Sequence, residues 1–215
     1  MRSLMIAAAL GVALLAQAAH ATVIQVGSQA GLGATDSVAW DQLGGAGAHL
    51  FTPAFATSTG GAVIDVSTPA GEIFRRDEGV DAAAGFAAGT PLLWSVHEHE
   101  PVQLRFSTPV YGVGAEIVED VQRGFVATLT LFNLGNVLGS VSVTGGDGPV
   151  YLGALSDVPI TLVRFSTMGP DGLIDAGLLL GPAQFVSVPE PSTALLLLGG
   201  LAGVALMRRR RLLWV

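Results

Sequence analysis

Pro101-Val-Gln-Leu-Arg-Phe-Ser107 decides the fold class. Val102, Leu104 and Phe106 fall on one side, and Gln103, Arg105 and Ser107 on the other. That alternation is the period of a half-buried strand, because successive side chains on an extended backbone point to opposite faces. Working outward, similar short runs recur at Ala62–Val66, Leu92–His97, Val110–Val118, Phe125–Phe132, Val137–Val143, Val150–Leu155, Ile160–Ser166 and Leu173–Leu180. No helical period is sustained between Val23 and Val188. Asn133-Leu-Gly-Asn136 suits a tight hairpin between two of these runs, and Gly145-Gly-Asp-Gly-Pro149 reads as a loop. Residues 22–60, rich in Gly, Ala, Ser and Thr, read as long loops around the first strands. Leu104-Arg-Phe-Ser-Thr108 is echoed by Val163-Arg-Phe-Ser-Thr167, too short a match for a repeat. The expectation is an all-β, antiparallel β-sandwich, jelly-roll-like, flanked by an N-terminal signal helix and a C-terminal hydrophobic helix.

Composition narrows the chemistry. The 215 residues include 29 glycines and no cysteine, which excludes disulfide scaffolds, thiol catalysis and cysteine-ligated zinc. Every cation is an arginine. Set aside the two ends, and five arginines face sixteen acids in the remaining body, a formal charge of −11. Such a body repels phosphate backbones, so no nucleic-acid partner is expected.

The ends read as processing segments. Arg2, the apolar run Leu4–Leu15 and Ala19-His20-Ala21 form a secretory signal over residues 1–21, cut by signal peptidase before Thr22. At the other end Val188-Pro189-Glu190-Pro191-Ser192-Thr193 is a stiff, non-helical approach, since proline restricts itself and its predecessor. Residues 194–207 are wholly apolar or glycine. As a helix they span about 21 Å, short of a hydrocarbon core of about 30 Å. Arg208, Arg209, Arg210 and Arg211 follow, a basic cluster that places the C-terminus in the cytoplasm. The span suits a temporary hold better than a permanent anchor.

The motif, the leucine-rich stretch and the arginine cluster together resemble the PEP-CTERM sorting domain, here residues 187–215. The resemblance implies recognition by an exosortase, a membrane transpeptidase, with Val188, Pro189, Glu190, Pro191 and Ser192 read as substrate sequence. It implies export through the secretion machinery, transient anchoring in the inner membrane, and release to the cell surface or an exopolysaccharide matrix. The body, residues 22–186, is more loosely similar to the β-sandwich cargo that precedes such signals, through Gln103–Val110, Leu129–Phe132, Val137–Ser140 and Ile174-Asp175. Those domains are similar to carbohydrate-binding jelly rolls, a likeness of architecture rather than function.

Candidate chemistry in the body is sparse. His97 and His99 share a strand face and can hold a metal, given a third ligand; His49 is the remaining histidine of the body. A structural calcium would draw on carboxylates in loops, Asp175 first, then Asp36 and Asp41. Trp40 beside Asp41 is a pairing able to recognise a sugar face and a hydroxyl, with Trp94, Tyr111 and Tyr151 as further aromatics. Glu98 with Glu100, and Glu116 with Glu119 and Asp120, are paired carboxylates, but no nucleophile elbow is present and neither Gly31-Leu-Gly33 nor Gly112-Val-Gly114 completes a phosphate loop. The expected function is therefore a non-catalytic, exopolysaccharide-associated surface or matrix protein. A calcium-dependent carbohydrate-binding module and a secreted hydrolase are the alternatives. Intact-mass analysis of protein recovered from a host with an exosortase is expected to give a form that starts at Thr22 and ends near Pro189–Pro191. A mature form still ending at Val215 would sink the sorting expectation.

Overall fold

The computed structural model of the chain describes residues 21–95, 100–120, 124–169 and 177–187. The elements in chain order are β1 (Val23–Val26), the single helical turn α1 (Gln29–Leu32), β2 (Asp36–Val38), β3 (His49–Phe51) and β4 (Ala54–Thr57). Then come β5 (Val63–Ser67), β6 (Glu72–Asp77), β7 (Pro91–Ser95), β8 (Val102–Glu119) and β9 (Phe125–Asn133). The chain closes through β10 (Asn136–Gly145), β11 (Val150–Met168), β12 (Leu178–Leu180) and β13 (Ala183–Ser187). Every pairing between these strands is antiparallel.

Two strands build both layers. The first half of β8 lies between β5 and the second half of β11, which continues to β9 and β10, with β4 outside β5. The second half of β8 pairs with the first half of β11, and β1 lies beyond that. On its other edge β8 takes β13 and then β2 near its middle, and β12, β7, β6 and β3 toward its end. The two layers enclose one continuous apolar core, where Phe106 of the first meets Phe185 of the second, ring centres 5.3 Å apart. This is an antiparallel β-sandwich in which strands change sheet at a corner, a known way of joining two sheets.

The corner corrects the strand boundaries. Runs expected as separate strands, 101–107 with 110–118 and 150–155 with 160–166, are single strands of 18 and 19 residues. Pro109 and Pro159 lie between those runs, inside β8 and β11. Both sit at the corner where the β8–β11 ladder loses register, between Leu155 and Leu162. Proline lacks a donor for a ladder but is tolerated at an irregularity, so here it bends the strands without ending them. Residues 22–60 hold four short strands with loops around them. Of Leu173–Leu180, Leu178–Leu180 form a strand and residues 170–176 lie outside the described set.

Other local readings match. At the Asn133–Asn136 hairpin Leu134 and Gly135 have φ of 48° and 88°, as a type I′ turn requires. The echoed segments prove to be antiparallel neighbours, Leu104 facing Val163, with Leu104, Phe106, Val163 and Phe165 all buried. Sharing one inner face explains the shared pattern. Gly112 has no role as a phosphate loop. A Cβ there would lie 2.6 Å from Leu155 Cδ2, so the glycine gives that side chain room to cross β8.

Without disulfides, side-chain stitches hold the loops. Asp36, 8% exposed, accepts from Ser58 Oγ at 2.6 Å, Thr59 Oγ1 and the Gly60 N–H at 2.7 Å, and the Ser37 N–H at 2.8 Å. Burial pushes its pKa up, but these four donors outweigh burial and hold it below the ordinary value. A folded pKa below the unfolded one gives stability that is present above the unfolded pKa and lost as pH falls through the folded value. Asp36→Asn is expected to cost about 1–3 kcal/mol at pH 7, with the gap to wild type narrowing below about pH 3.9. Urea midpoints at both pH values test this, and a gap unchanged by pH would exclude a role for the charge.

Candidate functional site

The most distinctive polar constellation lies where β6, β7 and β12 pass the end of β8. Arg76 comes from β6, Trp94 from β7 and Leu179 from β12, and Asp120 directly follows β8. The opposite wall is Asp81–Ala84, part of the loop that joins β6 to β7. Glu78, 7% exposed, fixes that loop: its carboxylate accepts from the Ala84 N–H at 3.0 Å and the Gly85 N–H at 3.1 Å. The cleft has a volume of about 150 Å³.

Inside it, polar groups are placed but not spent. The Arg76 guanidinium lies 4.2 Å over the Trp94 ring, a cation–π contact. Its Nη1 donates to the Asp81 carbonyl at 3.0 Å and stands 3.7 Å from Asp81 Oδ2. Asp81 Oδ1 accepts from the Asp77 N–H at 2.6 Å. Arg76 Nε, Trp94 Nε1 and Asp81 Oδ2 are buried and have no hydrogen-bond partner. Burial raises the pKa of Asp120 at the rim, partly offset by the nearby Trp94 indole N–H and the Arg76 charge. Arg76 Nε and one carboxylate oxygen, Asp81 Oδ2, stay unpaired at the cleft, and the Trp94 indole N–H faces the Asp120 carboxylate, a set that suits a ligand able both to donate and to accept, as a polyol does.

An aromatic row leads from the cleft to the sheet edge. Trp94 lies against Phe74 with centroids 5.6 Å apart, Phe74 stacks on His49 at 4.5 Å, and Phe51 follows at 4.8 Å. His49 Nε2 is 2.7 Å from Glu72 Oε2. Phe51, at 76% exposure, presents an open ring at the end of the row.

The expected site residues fare differently. Trp40 is wholly buried and its indole donates to the Gly181 carbonyl at 2.8 Å, so its ring offers no face to a sugar. Asp41 is exposed and starts a 3₁₀ turn. The two are neighbours in sequence only. Among the calcium candidates, Asp36 is committed to its four donors, and Asp175 lies outside the described residues. So do His97, Glu98, His99, Ala19, Val188, Pro189, Glu190, Pro191, Ser192 and Arg208–Arg211. Ala21 and Thr22 are described, and the Thr22 N–H donates to Asp157 Oδ1 at 2.8 Å. Glu100 accepts from the Ala70 N–H, Glu116 is exposed and Glu119 is buried. Burial and the neighbouring Glu116 charge push the Tyr151 hydroxyl up to about 12. No three metal-ligating side chains converge among the described residues.

Reading the sequence alone missed Arg76, Asp81 and Asp120 as a group. The available sign was the charge-dense run Arg75-Arg76-Asp77-Glu78 followed closely by Asp81.

Comparison with known proteins supplies the class. Residues 187–211 match the PEP-CTERM protein-sorting motif. The chain is thus a β-sandwich protein that carries a PEP-CTERM sorting motif, which implies an exported, exosortase-sorted protein. No curated protein matches it. Among solved structures it is similar to a glycoside hydrolase family 43 arabinoxylan arabinofuranohydrolase from Bacillus subtilis in complex with cellotetraose. Identity there is 14% and the TM-score 0.36, over 66% of this chain and 27% of the hydrolase. It is also similar to CsCBM6-3 from Clostridium stercorarium in complex with cellobiose, at 10% identity and a TM-score of 0.33, over 67% of this chain and 99% of that one. Likeness at this level carries no functional weight. Among the described residues no helix is long and apolar enough to cross a membrane.

Trp40→Phe leaves the Gly181 carbonyl unpaired in the core. It is expected to lower stability by about 1–3 kcal/mol while leaving glycan affinity unchanged. Denaturation and binding assays on the same preparation check both halves.

Proposed function

We propose that this chain is an exosortase-sorted surface or matrix protein whose non-catalytic body associates with extracellular polysaccharide through the Arg76–Asp81–Trp94–Asp120 cleft. The observation that carries the reading is the meeting of Arg76 Nε, Trp94 Nε1 and Asp81 Oδ2, all buried without a hydrogen-bond partner, at one small cleft rimmed by Asp120. Sugar hydroxyls are matched to such a set, because each can donate to a carboxylate and accept from an arginine or indole. The aromatic row extends the surface along a chain longer than one residue, ending on the open face of Phe51. The organisation that goes with this reading is a signal peptide over 1–21, a body from 22 and a sorting signal to 215. The strand β13 runs to Ser187, one residue past the expected end of the body.

A glycan-binding screen, run with and without calcium, tests the reading. Wild type is expected to retain a polysaccharide that Asp81→Asn and Asp120→Asn each bind about tenfold or more weakly, the loss of a hydrogen bond to a charged group. Flat results under both conditions would remove polysaccharide binding. Release of reducing ends, abolished by Asp120→Asn, would replace it by hydrolysis, for which the raised pKa of Asp120 opposite Asp81 is the supporting feature.

A further inference from the structure

Both ends of the body leave from the same place. Ser187, the last residue of β13, pairs with Val110 of β8, and Val110 also pairs with Ile160 of β11. Thr22 sits beside Asp157, three residues from Ile160. The two exits therefore flank the corner at which β8 and β11 change sheets. Ser187 is fixed there: its N–H donates to Thr35 Oγ1 at 2.9 Å, and the two hydroxyls lie 2.7 Å apart. Between Ser187 and the apolar run at Ala194 stand only Val188 to Thr193. Six residues reach about 20 Å at full extension. While the tail holds a membrane, the corner cannot stand farther than that from the hydrocarbon.

Large apolar side chains also stand exposed on the strands and hairpins that pass the corner. Ile24 is 57% exposed, Leu134 83%, Val137 62%, Val63 41% and Phe55 61%. Register and hydrogen bonds set them along the strands that pass the corner, Phe55 and Val63 toward one edge of the first sheet, Leu134 and Val137 at its other edge, and Ile24 on the second sheet. Ile24 faces Leu155, the Leu134 N–H donates to Thr161 Oγ1, and Val137 pairs with Phe132, which pairs with Leu162. The Val63 N–H donates to Ser107 Oγ, and Phe55 faces Asp65, which faces Arg105. Leu134 is the most telling. It holds a left-handed backbone, φ 48°, where Asn or Gly is the unstrained choice, and it is the most exposed large apolar side chain described. A leucine that is costly for the turn and useless to the core points to a contact outside the chain.

We propose that this corner is a membrane-facing surface, which rests against the lipid headgroup layer for as long as the C-terminal tail is uncut. The inference depends on the reading of residues 188–211 as a membrane-held sorting segment. Its consequence is orientation. The Trp94 row crosses β8 at Val118, eight residues beyond Val110 and about 26 Å along the strand, so the polar cleft points away from the lipid.

The absence of cysteine makes the test clean, since each introduced thiol is the sole site for a label. Full-length protein is reconstituted in vesicles of phosphatidylethanolamine and phosphatidylglycerol. An environment-sensitive fluorophore is attached to Leu134→Cys or, as the distal control, to Met168→Cys, an exposed site at the far end of β11. A lipid-borne quencher is expected to quench the label at position 134 at least threefold more than that at 168. Equal quenching in protein that floats with the vesicles would overturn the membrane-facing surface alone. Failure to float would overturn the membrane-held tail, and the surface with it.

Discussion

The ladder between β8 and β11 is the constraint on which the rest of the sandwich depends. Each strand runs through both sheets, and their pairing continues on either side of the corner, from Val102–Phe165 to Ile117–Val150. Every other described strand hangs on that pair directly or through one of its neighbours. A slip of one residue would turn Val102, Leu104 and Phe106 outward and Gln103, Arg105 and Ser107 inward, and it would do so in both sheets at once. The corner relaxes this rigidity locally. Pro109 and Pro159 remove ladder donors just where the register shifts, so the bend costs few hydrogen bonds that a straight strand would have made.

Alternation made much of this legible. Residues 101–107 and 125–132 declare their inner faces because one side of each is buried in the core and the other is not, and 137–143 do so through Val141 and Val143, which pack partly buried against that core. The rest was hidden for specific reasons. Residues 101–107 and 110–118 read as two runs, yet Pro109 between them serves a bend inside one strand. The first strands are three or four residues long, too short to show a period. Trp40 has the same composition cue whether its ring is outside on a sugar or inside against Gly181, and only the fold places it inside. The cleft could not be assembled from spacing at all, since positions 76, 81, 94 and 120 meet only once β12 has inserted between β7 and β8.

The arginines show how an acidic body without disulfides distributes its few cations. Arg75 is buried and paired with Asp77 at 2.6 Å, and Arg76 stacks on Trp94 at the cleft. Arg105 and Arg164 stay exposed on the first sheet, Arg164 with its guanidinium 5.4 Å from the Phe132 ring. Carboxylates do the complementary work of fixing loops by accepting backbone and hydroxyl donors, as Asp36 and Glu78 do. Hydrogen bonds to a charged acceptor are stronger than neutral ones, which suits a fold that has no covalent staple across its loops.

The placement of the two ends ties the fold to the sorting motif. The last described strand reaches Ser187, the residue at which the motif match begins. A spacer would let the body tumble and present any face to the membrane. A reach of about 20 Å from a hydrogen-bonded Ser187 removes most of that freedom. On the proposed reading the tail therefore acts as a tether that sets orientation as well as address. The polar cleft, at the opposite end of β8, is free to meet a glycan both before and after the tail is cut, and cutting changes only whether the corner still has a membrane to lie on.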